Sequence, residues 1–327
     1  MRAVRNHEYG DESVLTLETV DRPEPARGEA LVGIEAASVN PIDTYVREGN
    51  VRPPSGLPHV GGSDLAGVVK AVGEGVTAVE PGDRVFATGL GLFSPGTYAE
   101  YTVAPADQLA PLPEAVSFEA GAAAAMAFAT AWRALVTRGD LRLGDAAVVH
   151  GASGGVGHAA VQIAAAAGAT VVGTAREGEP AAFARSLGAD AVVDYRSDDL
   201  GGEIDAALDG RGVDVVFEPH ADAHLEANLA CLSRGGRIVV IGEEGPITLD
   251  GGLPMAAKQA DADIRFMSIV ASADDQAAIL ERVGERLADG TFSVEIDSVY
   301  GLEAVPEALS RLSASETLGK VVLDTTR

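Results

Sequence analysis

The stretch Ala146-Ala-Val-Val-His150-Gly151-Ala-Ser-Gly154-Gly155-Val-Gly157 decides the fold: a short apolar run, a glycine-rich turn, then apolar positions at Val156, Ala160, Ile163 and Ala167 with helical spacing. Strand, turn and helix in that order make a dinucleotide-binding turn. Gly154 lets the backbone approach a pyrophosphate and Gly157 lets the helix pack against the strand. The helix N-terminus adds unpaired N–H groups at the positive end of its dipole. Ala152 fills the first glycine position of the usual pattern.

Downstream of this turn, short apolar runs alternate with helical patterns, the mark of a parallel sheet with crossover helices. Strands are expected over 146–150, 170–174, 191–194, 213–217, 237–241 and 264–269. That set of six matches a doubly wound Rossmann sheet. The second strand runs into Val171-Val-Gly173-Thr-Ala-Arg176 with no acid at its tip. An acid there holds a ribose 2′-hydroxyl, whereas an arginine accommodates a 2′-phosphate, so NADPH is the expected cofactor. Tyr195-Arg196, after the third strand, stands ready to close the same pocket.

Upstream the pattern is different. Strands are expected at 30–39, 65–72, 84–87 and 97–103, separated by Pro53-Pro54, Gly61-Gly62, Pro81-Gly82-Asp83 and Pro95-Gly96, which reads as a mainly β domain. Beyond the parallel sheet come a helix near 274–288, a strand near 294–299, a helix near 303–312 and a strand at 320–323. These are too few for a third domain, so the chain is expected to return and complete the first. The division is then 1–122 with 266–327 for one domain and 123–265 for the other.

Composition bounds the function. A chain of 327 residues, 46% hydrophobic and 22% charged, is globular and long enough for two domains. The longest nearly unbroken apolar stretch, 120–132, falls short of the ~18–20 residues that span a bilayer. The start Met1-Arg-Ala-Val-Arg5 has no apolar export core, so a cytoplasmic location is expected. Cys231 is the only cysteine, which excludes an internal disulfide and a cysteine-rich metal site; it reads as a small buried residue on a helix.

The net charge of −25 sets 49 acids against 24 basic residues, of which only Lys70, Lys258 and Lys320 are lysines. Such self-repulsion is screened in ~1 M salt, where the Debye length is ~3 Å. A salt-rich cytoplasm is therefore expected. The same charge disfavours nucleic acid and membrane surfaces as partners. The six histidines, His7, His59, His150, His158, His220 and His224, are scattered; His220 and His224 alone share helical spacing and are expected at the surface or at a helix cap rather than on a metal.

Several motifs in order resemble the medium-chain dehydrogenase/reductase superfamily over nearly the whole chain, and within it the zeta-crystallin-like quinone oxidoreductases. They are Ser38-Val-Asn40-Pro-Ile-Asp43-Thr-Tyr45-Val-Arg47-Glu-Gly49, Gly62-Ser-Asp64-Leu-Ala-Gly67, Gly82-Asp-Arg-Val85, the glycine turn, Gly235-Gly-Arg-Ile-Val-Val-Ile-Gly242 and Gly319-Lys-Val-Val-Leu323. The resemblance implies an α/β protein: a GroES-like, partly open β-barrel domain beside the Rossmann domain, with the active site in the cleft between them and a homodimer paired through the sixth strands. In the zinc-dependent branch a cysteine stands at the place of Asn40 and a His-Glu pair at Ser63-Asp64. The region 127–130 also lacks a cysteine, so no tetrahedral zinc site can be assembled.

Without a Lewis acid an unactivated alcohol is a poor substrate. Quinones and conjugated carbonyl compounds fit instead, because they accept hydride and then take a proton from water. By resemblance, Asn40, Tyr45 and Thr130 line the substrate side, with Tyr45 polarising the substrate oxygen. Ser153, Gly154, Gly155 and Val156 would bind the pyrophosphate, and Gly173, Arg176 and Tyr195 the adenosine phosphate end. Ile241, Gly242 and Glu243 with Met267, Ser268 and Ile269 would meet the nicotinamide half, and Asp222 would also touch the cofactor. A quinone reductase is the leading reading. An enoyl or acrylyl reductase, with Arg47 and Arg52 receiving a large acyl carrier, is the enzyme alternative. A non-catalytic NADPH-binding protein with a structural or RNA-binding role is the alternative of another class.

Overall fold

The structure, a computed structural model, describes residues 1–269, 273–314 and 317–327. It divides into two compact units, Met1–Ala129 with Ser272–Arg327 and Thr130–Ala271.

The first unit holds two sheets. Three strands, β1 (Arg2–Asn6), β2 (Leu15–Thr19) and β4 (His59–Val60), pair in the order β2-β1-β4. The larger sheet runs β15 (Ile296–Gly301), β16 (Lys320–Asp324), β3 (Glu29–Ser38), β5 (Asp64–Val72), β6 (Arg84–Ala87) and β8 (Ala110–Pro111), with β7 (Tyr101–Pro105) also on β3. The return of the chain is therefore literal. β16 pairs antiparallel with β3, Val322 opposite Ser38 and Leu323 opposite Ala37. Alternating apolar residues of β3 and β5, among them Val32, Ile34, Leu65 and Val69, bury one core with Leu302, Leu309 and Leu323. Helices α1 (Pro41–Glu48), α8 (Ala273–Ala288) and α9 (Val305–Ser313) belong to this unit, as does most of α2 (Phe118–Trp132).

The second unit is one six-stranded sheet in which every pairing is parallel. Its order is β11 (Ala191–Val193), β10 (Thr170–Thr174), β9 (Ala146–Val149), β12 (Val213–Glu218), β13 (Leu232–Val240) and β14 (Asp263–Phe266). β9 is buried along its whole length, as a strand covered on both faces must be. Strand order reverses between β9 and β12, and a doubly wound sheet binds its ligand at that point. Helices α3 (Gly157–Ala166), α4 (Glu179–Ser186), α5 (Leu200–Ala207), α6 (Ala221–Cys231) and α7 (Leu253–Ala260) fill the crossovers.

The expected strands are present, with shifted bounds: the sixth parallel strand ends at Phe266 rather than 269, the strand expected near 294–299 is Ile296–Gly301, and two further differences have a visible cause. β13 begins at Leu232 rather than 237, because the chain pairs with β12 through an irregular register between Val213 and Val215. The stretch 97–100 is not regular strand: Tyr98 donates its amide to Gly61 O and Ala3 bridges Ala99, so it crosses between sheets before β7 starts at Tyr101.

The apolar stretch 120–132 lies in helix α2 (Phe118–Trp132), which a π-helical turn at Arg133–Arg138 extends. By length and composition this helix could cross a membrane, yet 72% of it is buried inside the protein. It is a core helix, with Ala122 to Phe128 almost wholly enclosed. Cys231 ends α6, buried, and burial pushes its thiol up to about 12, in keeping with an inert core residue.

Candidate active site

The glycine turn closes between β9 and α3. Gly151 adopts the left-handed φ of 64°, and a Cβ on Gly157 would lie 1.9 Å from Gly151 O. Helix and turn therefore approach as closely as only glycine permits. Ser153, Gly154, Gly155 and Val156 are half-buried on this turn at the start of α3; the Gly154 and His158 amides close it onto Gly151 O and Gly154 O at 2.9 and 3.0 Å. This cradle fits a pyrophosphate. Gly173 lies behind it, fully enclosed: a Cβ there would meet Ala152 Cβ at 2.8 Å, so its absent side chain lets β10 carry the turn.

Arg176 stands just past β10, half-buried, and among the described residues it has no acidic partner. Arg196 is different. It grips Asp194 with Nε–Oδ1 at 3.0 Å and Nη2–Oδ2 at 2.7 Å, and that bond, with the Arg196 amide, lowers Asp194 to about 2. Tyr195 remains exposed beside it. Asp222 is committed as well, its Oδ1 accepting the Glu244 amide at 3.0 Å. It holds the loop that carries Ile241, Gly242 and Glu243, and Ala221 N donates to Gly242 O at 3.2 Å. The Met267 amide bonds Val240 O at 2.9 Å, so Met267, Ser268 and Ile269 continue from the end of β14.

At the switch point lies a group the sequence reading did not anticipate. His150 and Glu218 are fully buried, and Asn228 joins them, its Oδ1 accepting from His150 Nε2 at 2.7 Å and its Nδ2 donating to Glu218 Oε2 at 2.6 Å. His224 is not a surface residue: its Nδ1 is 3.4 Å from Glu218 Oε1 and its ring stacks on His150 with centroids 4.5 Å apart. His220 is half-exposed, and its amide caps Glu218 Oε1. Burial pushes His150 down against the pull of Glu218. Burial acts to raise Glu218, but His150 and His224 hold it below the ordinary range. The nitrogens and carboxylate of His150, Glu218 and His224 lie within 4.8 Å of one another. Asn228 already bonds two of them, His150 and Glu218.

The substrate-side residues sit on the other unit, apart from Thr130, which is buried in α2. Tyr45 is 43% exposed on α1. Asn40 is only 2% exposed, and its amide is engaged: Nδ2 donates to Asp64 Oδ2 at 2.8 Å, and Oδ1 accepts from Lys320 Nζ. Around it Ser38 Oγ donates to Asp64 at 2.6 Å, while Ser63 Oγ and Tyr98 OH donate to Asp43 at 2.6 and 2.7 Å. Burial pushes Asp43 up to about 6 and raises Asp64. This is a poor zinc site. No thiolate or imidazole stands at Asn40 or Ser63, and the buried ammonium of Lys320 already engages the Asn40 oxygen.

Arg47, expected as a receiver for an acyl carrier, is buried and bound to Glu12 at 2.7 Å and to Gly10 O at 3.1 Å. Arg52 lies over Tyr9 at 5.0 Å. A cationic landing site for a large carrier loses its main member.

A parallel sheet with a pyrophosphate cradle at its switch point, on a chain whose ends build a β-rich unit, defines a two-domain nucleotide-dependent oxidoreductase. Residues 26–114 match the alcohol dehydrogenase GroES-like domain and residues 187–323 the zinc-binding dehydrogenase family. The chain is 37% identical to a quinone oxidoreductase of Lama guanicoe over 99% of its own length and 97% of that protein's. Among solved structures it is similar to an NAD-dependent alcohol dehydrogenase, with TM-score 0.90 and 33% identity over 99% of this chain and 100% of that one. It is also similar to the Escherichia coli quinone oxidoreductase complexed with NADPH, with TM-score 0.89 and 29% identity over 99% and 100%. The chain belongs to the quinone oxidoreductase family of the medium-chain dehydrogenase/reductase superfamily.

Proposed function

We propose that this protein reduces quinones and similar electrophilic carbonyl compounds with NADPH and without zinc, in a salt-rich cytoplasm. The observation that carries the zinc-free reading is the Asn40–Asp64–Lys320 group, in which a buried ammonium bonds the asparagine that stands at a ligand position of the zinc-dependent branch. With no Lewis acid to activate an alcohol, the substrate has to be electrophilic by itself.

NADPH would supply the hydride. The turn Ser153–Val156 would hold the pyrophosphate through backbone N–H groups, and Arg176, which has no ion pair among the described residues, would take the 2′-phosphate. The Escherichia coli relative with NADPH bound supports this cofactor, and the NAD-dependent relative makes Arg176 the residue on which the preference rests. Tyr45, exposed on α1, would donate a hydrogen bond to the substrate oxygen as charge develops there, and the proton would come from water. Thr130 and Asn40, both buried, would shape the pocket rather than react. The exposed edge of β14, where Phe266 is 61% open, would pair with a second copy to form a homodimer.

The test is oxidation of NADPH, and separately of NADH, in molar salt against a benzoquinone, a naphthoquinone, a conjugated enone and an acrylyl thioester. Quinone turnover with NADPH preferred is expected. Turnover of the enone or thioester alone would make this an alkene reductase, and tight NADPH binding without any turnover would make it a non-catalytic binder. Charge-assisted bonds contribute about 1.5–3 kcal/mol, so Arg176→Ala should raise the NADPH KM roughly ten- to hundredfold, by about tenfold per 1.4 kcal/mol, and leave NADH unchanged.

A further inference from the structure

We propose that Lys320 is a positioning residue: its buried ammonium seats Asn40 and the first turn of α1, and through that turn fixes where Tyr45 stands. Lys320 opens β16, and β16 lies along the end of β3, where the chain leaves the sheet through Val39 and Asn40 to enter α1. The register is held by Val39 N donating to Val321 O at 3.1 Å. The Lys320 side chain is 4% exposed and donates to two successive residues at this corner, to Val39 O at 3.0 Å and to Asn40 Oδ1.

Asn40 passes the constraint on in two directions. Its Nδ2 bonds Asp64 on β5 at 2.8 Å, and its backbone N–H donates to Asp43 Oδ2 in the first turn of α1 at 2.8 Å. Asp43 is gripped from outside by Ser63 and Tyr98. The helix therefore starts from a corner in which a C-terminal ammonium, a β5 carboxylate and a first-turn carboxylate are all bonded to one asparagine. Tyr45 follows Asp43 by two residues.

A cation is needed there for a reason beyond charge balance. A neutral residue would leave Val39 O and Asn40 Oδ1 without donors in a place water cannot reach, and the asparagine would be free to rotate its amide. An arginine would carry the charge on a planar fork longer than the space between two adjacent acceptors.

This inference rests on Tyr45 contacting the substrate only in its activity readout, so the experiment carries two readouts. Lys320→Met alone leaves Asp64 without its cation and is expected to fold poorly. The informative variant is Lys320→Met with Asp64→Asn, which removes both buried charges together. It is expected to regain the thermal midpoint of the native protein and to bind NADPH unchanged. Its kcat on whichever electrophile the native protein reduces should stay about tenfold low or lower, a loss equal to 1.4 kcal/mol, and substrate KM should rise. In hydrogen exchange the amides of 42–48 should lose about tenfold or more of their protection while β5 and β6 keep theirs. Recovery of both kcat and α1 protection in the double variant would overturn the proposal and leave Lys320 as the counter-ion of Asp64 alone. If α1 loosens and kcat does not fall, the positioning stands and the role given to Tyr45 fails. If the native protein reduces none of the electrophiles, unchanged protection of 42–48 overturns the proposal by itself.

Discussion

At the end of β3 two buried carboxylates, Asp43 and Asp64, feel the field of one buried ammonium, Lys320, which is bonded to the asparagine that both of them contact; at the end of β12 one buried carboxylate, Glu218, sits among His150, His220 and His224. Both clusters lie where a strand gives way to a helix, and both are closed by an asparagine that bonds two charged or titratable partners. Their balance is opposite. The first has an excess of acid, and burial raises both carboxylates. The second has an excess of base, burial lowers His150, and the histidines keep Glu218 low. A buried charge is tolerable where its surplus is titratable near neutrality, and each unit meets that condition with a different residue type.

Removing one partner from each cluster should separate them most. Asp64→Ala removes the carboxylate that acts most strongly on the buried Lys320 ammonium and leaves the Ser38 and Asn40 donors without their acceptor, which should cost about 3–5 kcal/mol in urea unfolding of the native chain. In the histidine cluster the surplus groups can become neutral, so Glu218→Gln should cost less, about 1–3 kcal/mol from misdirected hydrogen bonds. Trp132, the only tryptophan, reports on the second unit by fluorescence. Equal losses in the two variants would erase the distinction.

The pH dependence is smaller and differs in sign. Asp43 is raised from 3.8 to about 6, so the folded chain keeps a proton that the unfolded chain has released. The stability this gives is fully present below 3.8 and lost as pH rises through about 6. Between about pH 5 and 7 the loss should be on the order of 1 kcal/mol. His150 is lowered from 6.5, so the unfolded chain takes up the proton first, and stability is lost as pH falls below that value. Glu218, lowered from 4.5, adds a loss of the same sign at lower pH. Urea midpoints from pH 5 to 7.5 should show the first limb flattened by Asp43→Asn and the second by His150→Gln. A variant that flattens the other limb would break the comparison.

The smallest effect concerns the arginine pair of the nucleotide edge. Arg196 is exposed and held by Asp194, so Arg196→Ala should change the NADPH KM by less than about threefold, since exposed pairs contribute ~0–1 kcal/mol. A loss equal to that of Arg176→Ala would place the 2′-phosphate on Arg196 instead.

The sequence was informative where structure is local. The parallel strands could be read because buried strands are short apolar runs bounded by turn residues, and the glycine turn because its steric demand is carried by adjacent residues. Helix α1 was legible in principle, with Asn40 before Pro41 as a start signal. Helix α7 was hidden by Gly251, Gly252 and Pro254 around its beginning. Neither buried cluster has a local pattern. Lys320 meets Asn40 across 280 positions, and His150 meets Asn228 across 78. The one hint in the first case was a lysine at the head of the apolar run Val-Val-Leu, in a chain with only three lysines. In the second it was an acid, a proline and a histidine, Glu218-Pro-His220, in succession at the end of an apolar strand.

The measurement that bears most directly on the whole account is the rate of quinone reduction in molar salt with NADPH deuterated at its transferable position. The account predicts quinone-dependent oxidation that slows with deuterium, slows again when NADH replaces NADPH, and is unaffected by chelators. Absence of quinone-dependent oxidation, or a rate abolished by chelation and restored by zinc, would contradict it.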